Sequence, residues 1–120
     1  VFAWEGAIAV AQHADSGRFG SHRFITCLPS SDLTSEFLCF HFLTPDGLED
    51  IRKASPGGAG RNRTLGLDAL QNIEVPVPKL ADQHWFNELQ KMVRALKQQQ
   101  IIAESSSAAL SNAFVASIFK

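Results

Sequence analysis

Residues 79–118 read KLADQHWFNELQKMVRALKQQQIIAESSSAALSNAFVASI, a stretch without a proline or a glycine. Nothing in it breaks a helix outright. Taken every seventh residue, Phe86, Val93, Gln100, Ser107 and Phe114 share one line. Leu89, Leu96, Ala103, Leu110 and Ser117 share the companion line three residues on. This is an a/d heptad seam, apolar at both ends and polar in the middle. At the rise of an α-helix it would span about 60 Å, longer than a small domain is wide. The poor helix formers Ser105-Ser106-Ser107 mark the place where a break would come. So long a helix cannot bury its seam on the residues that precede it. A partner helix is expected, from elsewhere in the parent chain or by self-association of an isolated fragment. Phe86, Leu89, Val93, Leu96, Ala103, Leu110 and Phe114 are the expected pairing residues. Trp85, Met92, Ile101 and Ile102 lie off the seam and widen its apolar surface.

Immediately upstream, Ile73-Glu74-Val75-Pro76-Val77-Pro78 is kept extended, and away from any central strand position, by its alternating prolines. A short helical turn is expected before it, at Leu67–Leu70. The loop Ser55-Pro56-Gly57-Gly58-Ala59-Gly60 cannot hold a helix and runs straight into Arg61-Asn62-Arg63-Thr64. Thr44-Pro45 is a helix start, a capping hydroxyl followed by proline in the first helical position, with Leu48 and Ile51 on one face. An earlier helix should begin near Asp32 or Thr34. Phe37, Leu38, Phe40, Phe42 and Leu43 make it apolar on most sides, which predicts deep burial. Residues 1–28 read as β: the runs Ile8–Ala11 and Phe24–Leu28 flank a hairpin-like loop over Asp15–Ser21.

The 120 residues fit one domain, or a small domain plus an appendage. With 45% hydrophobic and 19% charged residues, the chain has material for a modest core and does not read as disordered. No uninterrupted apolar run approaches the roughly 18 residues of a membrane span, so no membrane partner is expected. Val1–Gly6 lacks a basic n-region and an initiator methionine, so the chain reads as a piece of something longer, without a signal peptide. Cys27 and Cys39 sit in apolar runs and read as buried thiols in a reducing compartment.

The formal net charge of −1 divides into −3 over residues 1–78 and +2 over residues 79–120. Blanket attraction to nucleic acid is therefore excluded. Positive charge is local, in Arg52, Lys53, Arg61 and Arg63, which have no acid among them, and in Arg18, His22 and Arg23. Such clusters are either binding loops or ordinary solvated ones. His13, His22, His41 and His84 are scattered, and no G-x-S-x-G, H-E-x-x-H or phosphate-binding loop occurs. No catalytic residue, metal or cofactor is expected of this chain.

Leu70-Gln71-Asn72-Ile73-Glu74-Val75-Pro76-Val77-Pro78-Lys79-Leu80-Ala81-Asp82-Gln83 resembles the junction motif of type I restriction–modification specificity subunits. In that motif a short helix leads into an I-x-[IV]-P-[LV]-P segment, and L-x-[ED]-Q then opens a long helix. Phe2–Val10 resembles a strand pair late in such a subunit's target recognition domain. Ser55–Arg63 resembles its Gly- and Arg-rich loop, and Leu110-Ser111-Asn112-Ala113-Phe114 the L-x-x-x-F ending of its C-terminal helix. Two departures are the single acid Asp82 before Gln83, and Ala116-Ser117-Ile118 where the family has G-[ED]-L.

The resemblance implies an α+β fold: over residues 1–78, the C-terminal portion of a target recognition domain with short strands and small helices; over 79–120, one long coiled-coil-type spacer helix, whose partner helix runs antiparallel to it. It implies a non-catalytic cytoplasmic subunit that reads one half of a bipartite site on double-stranded DNA. Such a subunit docks methyltransferase and restriction subunits, which hold the catalysis. Gly60, Arg61, Asn62 and Arg63 are then the leading candidates for the DNA contact, because a glycine loop lets backbone approach a phosphate and arginine offers a fork of donors. Arg18, His22 and Arg23 come second; Arg52 and Lys53 rank lower, because they also suit the C-terminal end of a helix. The competing role for Arg61 or Arg63 is a salt bridge to Asp68 or Glu74 that only orders the loop. Gly57, Gly58, Gly60, Pro76, Pro78 and Gln83 read as setting shape. Two alternatives stand beside this: a coiled-coil scaffold that binds no DNA, and the specificity domain of a fused restriction–methyltransferase enzyme.

Overall fold

The computed structural model describes residues 3–21, 24–57 and 64–118. Among these residues four helices appear: α1 (Ser35–Leu43), α2 (Pro45–Lys53), α3 (Leu67–Gln71) and α4 (Leu80–Ile118), with short 3-10 turns at Ala3–Glu5 and His13–Asp15. The chain forms two compact units, Val1–His84 and Trp85–Lys120.

In the first unit, threonines set the helix boundaries. Thr34 Oγ1 accepts a hydrogen bond from the Phe37 amide (3.2 Å), satisfying one of the free N–H groups at the start of α1. Thr44 serves two helices at once. Its amide and hydroxyl both donate to the His41 carbonyl at the end of α1 (3.0 and 2.7 Å), and its Oγ1 accepts from the Gly47 amide to cap α2 (3.1 Å). Pro45 follows in the first helical position, as the sequence predicts.

This tight corner brings the two helices into contact. A Cβ on Gly47 would lie 2.1 Å from the His41 carbonyl oxygen and 2.8 Å from Phe42 Cα, so only glycine fits there. The apolar core is small: Phe42, Ile51 and Ala54 are buried, with Ser55 beside them donating to the Ile51 carbonyl (2.7 Å). The Ala3–Glu5 turn packs on α2, where Gly6, at φ +85°, approaches the Leu43 and Leu48 side chains. After α2 the chain returns to its end: the Gly66 amide donates to the Ala54 carbonyl (2.9 Å), and α3 starts there. Asn72 closes α3 by donating to the Asp68 carbonyl (2.8 Å).

The α+β expectation is overturned. No strand or sheet occurs among the described residues; the architecture is helical. Ile8–Ala11 and Phe24–Leu28 carry strand-forming residues, but β propensity expresses fit to a neighbouring strand, and none lies alongside them. The backbone bonds at their edges close turns instead, from the Ile8 amide to the Gly6 carbonyl (2.9 Å) and from the Phe24 amide to the Ser21 carbonyl (2.9 Å). A 3-10 turn at His13–Asp15 precedes the expected hairpin loop, with the Gln12 amide donating to Asp15 Oδ2 (3.0 Å), and the loop follows as an irregular turn with Gly17 at φ +83°. Without a sheet face to cover it, the second run is exposed, Leu28 to 91%. Cys27, expected buried, is exposed for the same reason, and Cys39 is half-buried. Burial of α1 is also shallower than its composition predicts: Phe42 is buried, whereas Phe40 and Leu43 are exposed.

In the second unit α4 runs on without interruption through Ser105–Ser107 to Ile118. The Ser105 hydroxyl donates to the Ile102 carbonyl (3.2 Å) and Ser117 to the Phe114 carbonyl (2.7 Å), so these hydroxyls are satisfied within the helix instead of unwinding it. An 18-residue window of α4 has a mean hydropathy of 1.2 and at most two charges. By length and composition that is enough for a span, which weakens the exclusion drawn from uninterrupted runs alone. A serine- and alanine-rich helix with an apolar seam reaches the same value, so the window is weak evidence.

Two consequences follow for stability. Gly47→Ala should lower the unfolding free energy by about 2 kcal/mol or more through overpacking. Gly66→Ala, whose Cβ would meet ordinary contacts of 3.5–3.6 Å, should change it little; urea titration followed by circular dichroism compares the two. The Ser30 hydroxyl donates to Asp32 Oδ1 and, with a backbone hydrogen bond, holds the Asp32 carboxyl below its ordinary range. That contribution is present above the unfolded pKa and is lost as pH falls below about 4. Asp32→Asn should flatten the acid limb of the stability curve.

Candidate nucleic-acid interface and pairing helix

The junction between the extended segment and α4 is organised by one side chain. Gln83 has no exposed surface. Its Nε2 donates to the Asp32 carbonyl (2.8 Å) and the Pro78 carbonyl (2.7 Å), and its Oε1 accepts from the Thr34 amide (2.8 Å). Both amide hydrogens are used, and the partners fix which way the amide points. Three pieces of chain meet on it: the segment entering α1, the end of the Pro76–Pro78 stretch, and the first turn of α4. The prolines contribute by fixing φ and keeping the residue before each of them extended. The sequence reading assigned Gln83 only to shape at the helix start. Two of its three partners lie 49 and 51 residues away, and no local pattern points to them.

Most of the expected DNA contact lies outside the described residues: Gly60, Arg61, Asn62, Arg63, His22 and Arg23. Arg18 is described and exposed. Its Nε stands 3.7 Å from Asp15 Oδ1. The lower-ranked cations also face acids one helical turn back, Arg52 to Glu49 (3.9 Å) and Lys53 to Asp50 (3.4 Å). The local charge around α2 is therefore balanced, although the stretch that follows has no acid in sequence. A shallow open cleft beside it is lined by Asp50, Lys53, Ala54, Ala69, Asn72, Ile73 and Glu74. Two carboxylates against one ammonium make it a poor seat for a phosphate.

The expected pairing residues of α4 are largely uncovered in the single chain. Leu96, Leu110 and Phe114 expose 64%, 73% and 66% of their surface, Val93 and Ala103 are also exposed, and Phe86 and Leu89 are half-buried. Trp85, Met92, Ile101 and Ile102 are exposed beside or behind them. Among the described residues no group of three His, Cys, Asp or Glu side chains could hold a metal ion. His41 Nε2 is buried and has no hydrogen-bond partner. No protein-family model, curated protein or solved structure matches this chain.

Gln83→Leu would leave an amide and two carbonyls without their partner in a buried site. We expect a loss of about 3 kcal/mol or more, read as a lower urea midpoint. Gln83→Glu should not rescue it, because a carboxylate would face two carbonyl oxygens; a wild-type midpoint in either variant would show that the amide does not hold the junction.

Proposed function

We propose that this chain serves DNA recognition and scaffolding as part of a type I restriction–modification specificity subunit. In this reading it reads one half of a bipartite target, docks methyltransferase and restriction subunits in the cytoplasm, and performs no catalysis of its own. The observation that carries the reading is the Gln83 junction. The P-V-P…D-Q pattern that resembles the family has a physical purpose here: it ties a long helix to a folded head through a buried, fully used amide. A helix so anchored, with an uncovered apolar seam, suits a spacer that pairs with another helix. The Gly60–Arg63 loop supplies the DNA contact in this reading. Its flanks are held at Ala54 and Gly66 by a backbone hydrogen bond, which gives the loop a fixed base.

A second reading, a coiled-coil scaffold that does not bind DNA, draws support from the acid partners of Arg18, Arg52 and Lys53. Salt dependence separates the two. The parent protein, with its methyltransferase partner, should prefer a split-sequence duplex over a random one and lose affinity steeply as salt rises. Arg61→Ala with Arg63→Ala should weaken binding about tenfold or more and reduce the salt slope by roughly two. Equal binding to both duplexes, or none at low salt, would leave the scaffold.

A further inference from the structure

The first half of α4 carries a cationic face that neither the seam nor the Gln83 junction uses. From Leu89 to Ala103 the helix holds Lys91, Arg94 and Lys97 and no acid. We propose that Lys91, Arg94, Lys97 and Gln98 hold the phosphate backbone of double-stranded DNA, along the stretch that separates the two halves of the target. This rests on the specificity-subunit reading and adds to it a second contact, blind to sequence and apart from the Gly60–Arg63 loop.

The four residues are spaced by three, four and seven, so they share one side of the helix. All four are exposed. Lys97 borders the seam, whereas Lys91, Arg94 and Gln98 lie away from it, so a helix seated on the seam leaves them to solvent. Two of the charges are not answered from within. Lys91 faces Glu88 (2.7 Å). Arg94 and Lys97 have no acid three or four residues away in either direction. Neither makes an ion pair among the described residues. Arg94 also stands one turn from a cation on each side, an arrangement that destabilises an isolated helix. In the head, by contrast, Arg18, Arg52 and Lys53 each face an acid. A helix that keeps such a face uncompensated is complementary to an anion from outside.

The spacing suits a nucleic-acid backbone. Lys91 and Lys97 stand about 9 Å apart along the axis at the rise of an α-helix. One strand of B-DNA carries a phosphate about every 3.4 Å of axis, so the face matches roughly two or three successive phosphates. Lysine, arginine and glutamine all donate to phosphate, and such contacts fix position on the duplex without reading bases. The gap between two read halves calls for contacts of that kind. A spacer that sets the distance between two heads on one duplex runs beside the DNA between them. With no charge on its outer face, it would leave that DNA unheld.

The test is a fluorescence-anisotropy titration of the parent with its methyltransferase partner, using split-target and random duplexes across a range of salt. Arg94→Ala with Lys97→Ala keeps strong helix formers on an exposed surface, and circular dichroism checks that the fold is unchanged. Affinity for both duplexes should fall by the same factor, about tenfold, and the salt slope should shrink by roughly two. Arg94→Lys with Lys97→Arg, which keeps both charges, should leave the slope at its wild-type value. Neutral methylphosphonate links between the half-sites should weaken the wild type and leave the alanine variant unaffected. Unchanged affinity and slope in the alanine variant, while the wild type still prefers the split target, overturns this contact and leaves DNA recognition standing. A loss confined to the split target overturns it in favour of base reading. Unchanged DNA binding with loss of the co-eluting methyltransferase subunit overturns it and assigns the face to an acidic protein surface. A wild type that binds neither duplex fails the recognition reading itself, and this contact with it.

Discussion

A single buried amide holds the head of this molecule to its helix. Gln83 answers one N–H and two C=O groups that would otherwise be left unsatisfied where an extended segment turns into α4. Glutamine suits this position because it donates and accepts at once, at the end of a side chain long enough to reach a segment about fifty residues away in sequence. A carboxylate lacks the donors and an aliphatic residue lacks both. The geometry depends in turn on Thr34, whose amide is given to Gln83 and whose hydroxyl caps α1. The start of one helix is thereby tied to the start of another.

Around that anchor the head has little apolar material to rely on. Among the described residues its buried apolar side chains are Phe42, Ile51 and Ala54. Much of its order comes from satisfied backbone at corners: Thr44 between α1 and α2, Gly47 against the His41 carbonyl, Gly66 on Ala54, and Asn72 on Asp68. This is the economy of a small head, in which polar closure of helix ends complements a core too small to suffice. It also explains the exposure of Phe40, Leu43 and Leu28, which have nowhere to go within the unit.

In the reading proposed above, function divides between a loop and a helix face. Arg18, Arg52 and Lys53 each face an acid, so that reading places its phosphate contacts on Arg61 and Arg63 first. The helix face is uncovered in the single chain, where Leu96, Leu110 and Phe114 are exposed, as are Ile101 and Ile102 off the seam.

Much of the helical architecture was legible in the chain. The absence of proline and glycine over residues 79–118, the Thr44-Pro45 start and the Pro76/Pro78 spacing are local features, and each acts within a few residues of itself. The seam positions follow from periodicity in the same way. Strands were misread because their stability is not local: Phe24–Leu28 has the side chains of a strand but no neighbour to form a ladder with. The role of Gln83 and the need for glycine at position 47 depend on which groups come within a few ångströms of each other. The sequence by itself determined where helices run and where they stop. Only the tertiary structure decided which buried polar groups answer one another, because hydrogen bonds across some fifty residues leave no periodic trace in the chain.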